Sequence, residues 1–306
     1  MLKTIDKLAN LFVKGKSMGF QQIYDEKRAK AEEYLHRIMD SVKDNFQIKE
    51  AMAYSLFAGG KRIRPVLAMG VCEMLGGKEE KVLPFASAIE LIHTYSLIHD
   101  DLPCMDDDDL RRGMPTSHKK FGEAMALLTG DALQALAFEI MAQADEEPII
   151  SLECIRTISV AAGISGMCGG QELDITSGRG TPEELERINL LKTGALIAAA
   201  CWLGAIIAGA DIEDFKKIGT YAKNIGLAFQ VKDDILDVAG TREEIGKNVG
   251  SDEKKGIKTY ASLLGVDEAN KLLENYIEEA KFAIHDFGEK SFFLQDMANY
   301  LKERRV

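Results

Sequence analysis

The stretch His93–Gly113, HTYSLIHDDLPCMDDDDLRRG, limits what this chain can fold into more than any other. Six aspartates, Asp100, Asp101, Asp106, Asp107, Asp108 and Asp109, fall within ten positions, and the apolar run Tyr95 to Ile98 leads straight into them. An ionised carboxylate leaving water is costly unless a cation compensates it, so an acid reached through apolar residues implies a bound positive charge. The donors are oxygen alone. That suits Mg²⁺, a hard ion that keeps some of its waters and commonly shares carboxylates with phosphate oxygens. Arg111 and Arg112 follow at once, and guanidinium pairs bidentately with phosphate. The competing reading, a solvated acidic loop, loses ground because a second acidic site exists.

That site is Asp233, Asp234 and Asp237 in FQVKDDILDV. Four residues is about 400° of helical rotation, so Asp233 and Asp237 stack on one face, with Gln230 on a neighbouring part of it. Asp100 and Asp106 behave differently, because six residues put them on opposite sides of a straight helix. Pro103 supplies the needed break, since proline removes a helix hydrogen bond and disfavours α geometry before it. The sequence therefore predicts a helix ending near Asp101, then an irregular segment that swings Asp106 back.

With 306 residues and 46% hydrophobic content the chain can build a substantial core. A formal charge of −11 argues against nucleic acid as partner. It does not argue against phosphate, because a metal inverts the local field. Cys72, Cys104, Cys154, Cys168 and Cys201 are odd in number and lack any CxxC, so reduced thiols and a cytoplasmic setting are expected. Residues 1–20 lack a secretory signal and read as an amphipathic opening helix, loosely docked. Gly194 to Ala210, seventeen residues without a charge, is the one run that raises a membrane question. It is at the lower edge for spanning. Its Ala and Gly content reads instead as a central helix packed on all sides, with no membrane span.

Helical signals dominate. Residues 21–45 carry apolar residues at helical intervals with charge between them, and no segment alternates with period two. Thr181 before Pro182, Glu183 and Glu184 reads as a capped helix start, as do Thr241 with Glu243 and Glu244, and Asp267 with Glu268. Breaks at Gly59/Gly60, Gly76/Gly77, Gly178/Gly180 and Gly240 divide the chain into about a dozen helices. No Pro-, Ser- or Gly-rich linker separates two halves. The reading is one all-α domain over residues 1–306, a helical bundle around a central apolar cavity.

Between the helices sits GGKRIRP, Gly59 to Pro65, where glycines free backbone amides and three cations stand within four positions. The pattern suits a diphosphate, although a helix cap with solvated charge is its plainer reading. No GxxxxGK[ST] occurs, so nucleoside triphosphate hydrolysis has little support. Lys192 and Thr193 precede the apolar helix, and Lys247 follows Gly246. Either lysine alone is as well explained structurally. Two acid clusters, flanking basic segments and an apolar passage together call for a ligand with a diphosphate head and a hydrocarbon tail.

GGKRIRP, DDLPCMDDDDLRRG, LKTGALI and FQVKDDILD, in that order, resemble the motifs of the trans-isoprenyl diphosphate synthases, and HTYSLIHDDLP is similar to the bacterial farnesyl diphosphate synthases among them. The resemblance covers roughly residues 25–300. It implies three Mg²⁺ ions bridging an allylic diphosphate to Asp100, Asp101 and Asp106 on one side and Asp233, Asp234 and Asp237 on the other. It implies that Arg111, Lys192, Thr193 and Lys247, with Gln230 assisting, hold the allylic head, whether of dimethylallyl or geranyl diphosphate. Lys61, Arg64, His93 and Arg112 are then expected to hold isopentenyl diphosphate. Metals and cations stabilise the departing pyrophosphate, the alkene attacks the allylic cation, and pyrophosphate itself takes the proton. A homodimer is also implied.

Tyr95, with Ser96 beside it, lies about 7 to 8 Å deeper along the helix than Asp100 at 1.5 Å per residue. A phenol there closes the tunnel floor and points to a C15 product, (E,E)-farnesyl diphosphate, with C20 geranylgeranyl diphosphate the alternative. The chain departs from the family pattern at GIKTYA, where Ile257 stands at the usual lysine position and Lys258 beside it. A terpene cyclase would share one acid cluster but has no use for GGKRIRP. A phosphohydrolase built on His99 and Asp100 needs additional histidines, which are scarce among the five present. A catalytically silent partner subunit tends to lose an acid cluster, and both are intact.

Overall fold

The computed structural model describes residues 19–43, 46–177, 180–239 and 258–304. In chain order its helices are α1 (Phe20–Ser41), α2 (Gln47–Leu56), α3 (Ile63–Met74), α4 (Glu79–Asp100), α5 (Ser117–Phe121), α6 (Glu123–Ala142), α7 (Pro148–Ala162), α8 (Met167–Thr176) and α9 (Pro182–Asn189). A π-helical turn, Leu190–Gly194, leads into α10 (Ala195–Ala208), followed by α11 (Ile212–Ala239), α12 (Tyr260–Leu264), α13 (Val266–Ala283) and α14 (Phe292–Glu303). The all-α expectation holds.

Local sequence accounts for most of these boundaries. Helix α1 buries Tyr24, Lys27, Ala31, Leu35, Ile38 and Met39, one stripe at helical spacing. Helix α9 opens with the expected box: Glu184 N–H donates to Thr181 Oγ1 and the Glu184 carboxylate accepts from Thr181 N–H, both at 3.2 Å. Asp267 does not cap α13. It sits in the first turn, and Gly265 at φ 83° takes the cap, because a sharp turn from α12 demands a left-handed residue. The starts expected at Thr241, Glu243 and Glu244, the break at Gly240, and the opening helix up to residue 18 lie outside the described residues.

Helix α4 ends at Asp100, and the chain doubles back as the proline required. Asp106 N–H donates to Asp100 O at 2.9 Å, Met105 N–H to Leu102 O at 2.8 Å and Asp107 N–H to Leu102 O at 3.2 Å. A hairpin then follows, β1 (Leu110–Arg111) paired antiparallel with β2 (Met114–Pro115). Arg112 at φ 53° and Gly113 at φ 79° give its turn two left-handed residues, the backbone a two-residue hairpin prefers. Sequence periodicity missed it, since two residues per strand leave no alternation to see.

Two apolar clusters form the core. One gathers α4 with α1, α6 and α7, and the other gathers α11 with α13 and α14. Helices α3 and α10 contribute to both and form the partition between them. They cross closely at Gly204, where a Cβ would lie 2.4 Å from Ala68 O and 2.8 Å from Cys72 N. Backbone atoms cannot rotate away, so Gly204→Ala is expected to cost about 2 kcal/mol despite its better helix propensity. A urea midpoint equal to the parent's would mean that this crossing does not set the helix separation.

Helix α10 is less enclosed than its composition led one to expect. Leu196, Ala199, Ala200, Leu203 and Gly204 are buried, but Ala198, Trp202 and Ile206 face an outer groove shared with α7 and α11. By length and hydropathy alone, three stretches among the described residues could cross a membrane: Glu123–Ala142, Pro148–Thr176 and Pro182–Ala208. The last two carry Gln171, Asp174 and Lys192 in polar contacts described below.

Candidate active site

The first acid wall is the end of α4. Burial pushes the Asp100 carboxyl up to about 6, opposed by Lys192 and reinforced by Asp106. Its Oδ1 accepts from Gln171 Nε2 at 3.1 Å. Asp101 is turned elsewhere: both its oxygens accept from Arg111, at 2.6 to 3.0 Å, in a bidentate pair. That pair flanks a small recess behind the hairpin, whereas Asp100 lines the central cavity. The structure thus brings Asp100 and Asp106 together and aims Asp101 at Arg111.

The second wall lies on α11. Gln230 Nε2 donates to Asp234 Oδ1 at 2.9 Å, and Gln230 Oε1 accepts from Thr193 Oγ1 at 3.1 Å. The other Asp234 oxygen accepts from Tyr260 N–H at 2.8 Å, which fixes a carboxylate only 3% exposed. Asp233 pairs with Arg304 at 2.7 Å. Arg304 is itself buried, stacked over Phe229 and donating to the Phe229 carbonyl at 2.9 Å. Asp233, Asp234 and Asp237 line one cavity of about 600 Å³ with Lys61, Arg64, His93 and Arg112. Lys247 and Ile257 lie outside the described residues. Lys258 is exposed, and the Tyr260 backbone N–H meets the acid wall.

The cations of GGKRIRP divide. Arg62, at φ 51°, turns into the interior and binds Glu90 at 2.9 Å, Glu32 at 2.8 Å and the Leu56 carbonyl at 2.6 Å. Lys61 and Arg64 face the cavity, and Arg64 Nε is buried without a hydrogen-bond partner. Arg112 donates to the Gly59 carbonyl and lies against Gly60, so the glycine pair makes room for a guanidinium. Burial, then the charge of Arg64, holds the His93 imidazole well below its ordinary range, so it stays neutral at neutral pH.

Burial, with the charge of Arg304 next, pushes the Lys61 ammonium down to about 8. Its positive charge is present below that pH and lost above it. Affinity for inorganic pyrophosphate without metal should therefore fall by about tenfold between pH 7 and 9, the worth of one charged hydrogen bond. Titration calorimetry on the parent and on Lys61→Met checks it. The Lys61→Met variant should lack the step, and a parent profile no steeper than the variant's would count against the role.

Arg64 and His93 also line an adjoining cavity of about 390 Å³, whose other walls include Tyr95, Ser96, Asp100, Met105, Cys168, Lys192, Thr193 and Leu196. A larger groove of about 830 Å³ lies across α10 and contains no acid of either cluster, so size alone does not mark the site. Lys192 Nζ donates to Asp174 Oδ2 at 2.6 Å. The π turn therefore presents Lys192 towards one wall and Thr193 towards the other, a known use of such turns.

Three contributors escaped sequence reasoning. Gln171 and Asp174 stand three residues apart on α8, a helical spacing that was there to be found in CGGQELD. Arg304 had no local signal at all. Among the described residues no three His, Cys, Asp or Glu side chains form a ready-made cation cage. The oxygen-only donor set nevertheless fits Mg²⁺, which typically takes one or two carboxylates and completes its shell with water and phosphate.

The polyprenyl synthetase family model matches residues 45–289. The chain is 46% identical over 270 residues to the farnesyl diphosphate synthase of Geobacillus stearothermophilus, covering 86% of this chain and 91% of that one. It is equally similar, 46% over 262 residues, to the geranylgeranyl diphosphate synthase of Cyanophora paradoxa, covering 84% and 87%. The crystal structure of a geranyltransferase from Legionella pneumophila superposes with a TM-score of 0.83 at 34% identity, covering 92% of this chain and 96% of that one.

Proposed function

The chain belongs to the polyprenyl synthetase family and is a prenyltransferase, and from that premise we propose that it condenses isopentenyl diphosphate with dimethylallyl and then geranyl diphosphate to give (E,E)-farnesyl diphosphate. The observation that carries this reading is the chain of contacts Asp100–Gln171 and Lys192–Asp174 on one side and Thr193–Gln230–Asp234 on the other, spanning the mouth of an apolar cavity.

Asp100, Asp106, Asp233 and Asp237 would hold Mg²⁺, three ions per site in this reading, and when bound these neutralise the departing diphosphate. Lys192 and Thr193 hold the allylic diphosphate beside them, and Arg111, aimed by Asp101, adds a guanidinium. Lys61, Arg64 and Arg112 hold the second diphosphate, with neutral His93 as a hydrogen-bonding neighbour. The allylic carbon–oxygen bond breaks, the alkene of isopentenyl diphosphate attacks, and the released pyrophosphate takes the proton from the new chain. Apolar walls exclude water, which would otherwise quench the cation. Exposed Leu127 and Leu128 of α6 and Ile149 and Leu152 of α7 support a homodimer.

Tyr95, 6% exposed at the depth expected of a floor, favours C15. A C20 product is the second reading, favoured by the equal similarity to geranylgeranyl diphosphate synthases. Incubation with Mg²⁺, dimethylallyl diphosphate and labelled isopentenyl diphosphate, then chromatography of the dephosphorylated products, separates them. Farnesol is expected, geranylgeraniol as the main product selects the second reading, and no incorporation of label defeats both. Tyr95→Ala should raise the ratio of C20 to C15 by about tenfold, the scale of a pocket misfit.

A further inference from the structure

We propose that Cys168 is a second determinant of product length, forming with Tyr95 the floor of the apolar cavity. The inference rests on the chain-elongating reading above and adds a residue on a different helix. Cys168, Gln171, Glu172 and Ile175 stand at i, i+3, i+4 and i+7 on α8, so they form one face lining the cavity. Helix α8 is tied at two points near the mouth, by Asp174 to Lys192 and by Gln171 to Asp100. Cys168 lies about 4.5 Å below Gln171, while Tyr95 lies about 7.5 Å below Asp100 on α4. The two side chains meet there: the phenol stands beside the Cys168 thiol and the Gln134 side chain.

The floor is rigid on both sides. Tyr95 is held edge-on by His99, with ring centroids 5.7 Å apart, and His99 occupies the space a Cβ on Gly130 would take. Helix α8 packs closely on the π turn, because a Cβ on Gly170 would lie 2.2 Å from Lys192 N. The Tyr95 oxygen, buried and lining the cavity, makes no hydrogen bond of proper geometry to either neighbour. The Tyr95 ring lines the cavity, and Cys168 is exposed to that same space. The volume at position 168 therefore sets how far the growing hydrocarbon tail reaches past the phenol.

Product distributions from Cys168→Phe and Cys168→Ala test this. The phenylalanine variant is expected to raise the ratio of C10 to C15 product by about tenfold, the scale of a small misfit in an apolar pocket. The alanine variant is expected to shift the distribution towards C20, and further when combined with Tyr95→Ala. Should the phenylalanine variant melt early, the alanine variant, smaller than the native residue, decides alone. Elongation by the parent with an unchanged product ratio in Cys168→Ala overturns the inference and leaves the elongating activity standing. A parent that incorporates no isopentenyl diphosphate overturns both.

Discussion

Asp100→Asn will lower kcat/KM for condensation by at least about a thousandfold, because it removes a charge that acts where the leaving diphosphate develops negative charge. The same substitution should not weaken the metal-free fold. Asp100 is raised to about 6 from an ordinary value of 3.8, chiefly by burial. Its native state therefore binds a proton more tightly than the unfolded chain does. The ionised carboxylate destabilises the fold fully above about pH 6, and the penalty vanishes below about pH 4. Asparagine keeps the oxygen that accepts from Gln171 and carries no charge. In chelator at pH 7.5 the variant should match or exceed the parent's stability by about 1–2 kcal/mol, and at pH 4 the two should converge. Adding Mg²⁺ with pyrophosphate should reverse the order, stabilising the parent more. If Asp100→Asn retained a tenth of parental turnover, the first acid wall would not be where the metal acts.

How much of this site could be read in the chain depends on the range of the physics involved. The turn at Pro103 was legible, because Asp100 and Asp106 cannot share a face of a straight helix and the proline stands between them. The stack of Asp233 and Asp237 with Gln230 was legible from helical rotation alone. Which distant group each acid meets was not. Asp101 and Arg111 are ten residues apart, and nothing in DDLPCMDDDDLRR says that a hairpin turns that arginine back onto the second aspartate. Arg304 meets Asp233 across 71 positions through burial beneath Phe229, a tertiary fact without a local pattern. The three cations of GGKRIRP look alike in sequence, yet one left-handed residue sends Arg62 to Glu90 while Lys61 and Arg64 stay with the cavity.

Glycine in CGGQELD carries the last and least obvious of these constraints, and Gly170→Ala should expose it. A Cβ there would stand 2.2 Å from Lys192 N, 2.7 Å from Leu191 C and 2.7 Å from Lys192 Cα. All three are backbone atoms of the π turn, so no rotamer change relieves the overlap and the turn itself must shift by about 1 Å. Lys192 then loses its register with Asp174, and Thr193 its place against Gln230, which in turn orients Asp234. A misplacement of that size at a positioning group costs about a hundredfold in kcat. Stability should fall by about 2 kcal/mol, since overpacking outweighs the gain in helix propensity. Gly219→Ala is the control: it lies within α11, its nearest neighbour is Trp202 Nε1 at 3.8 Å, and it should be neutral or slightly stabilising. Steady-state kinetics and urea unfolding on both variants separate the effects. A Gly170→Ala enzyme destabilised as expected but with parental kcat would mean that α8 holds the fold without holding Lys192 in its working position.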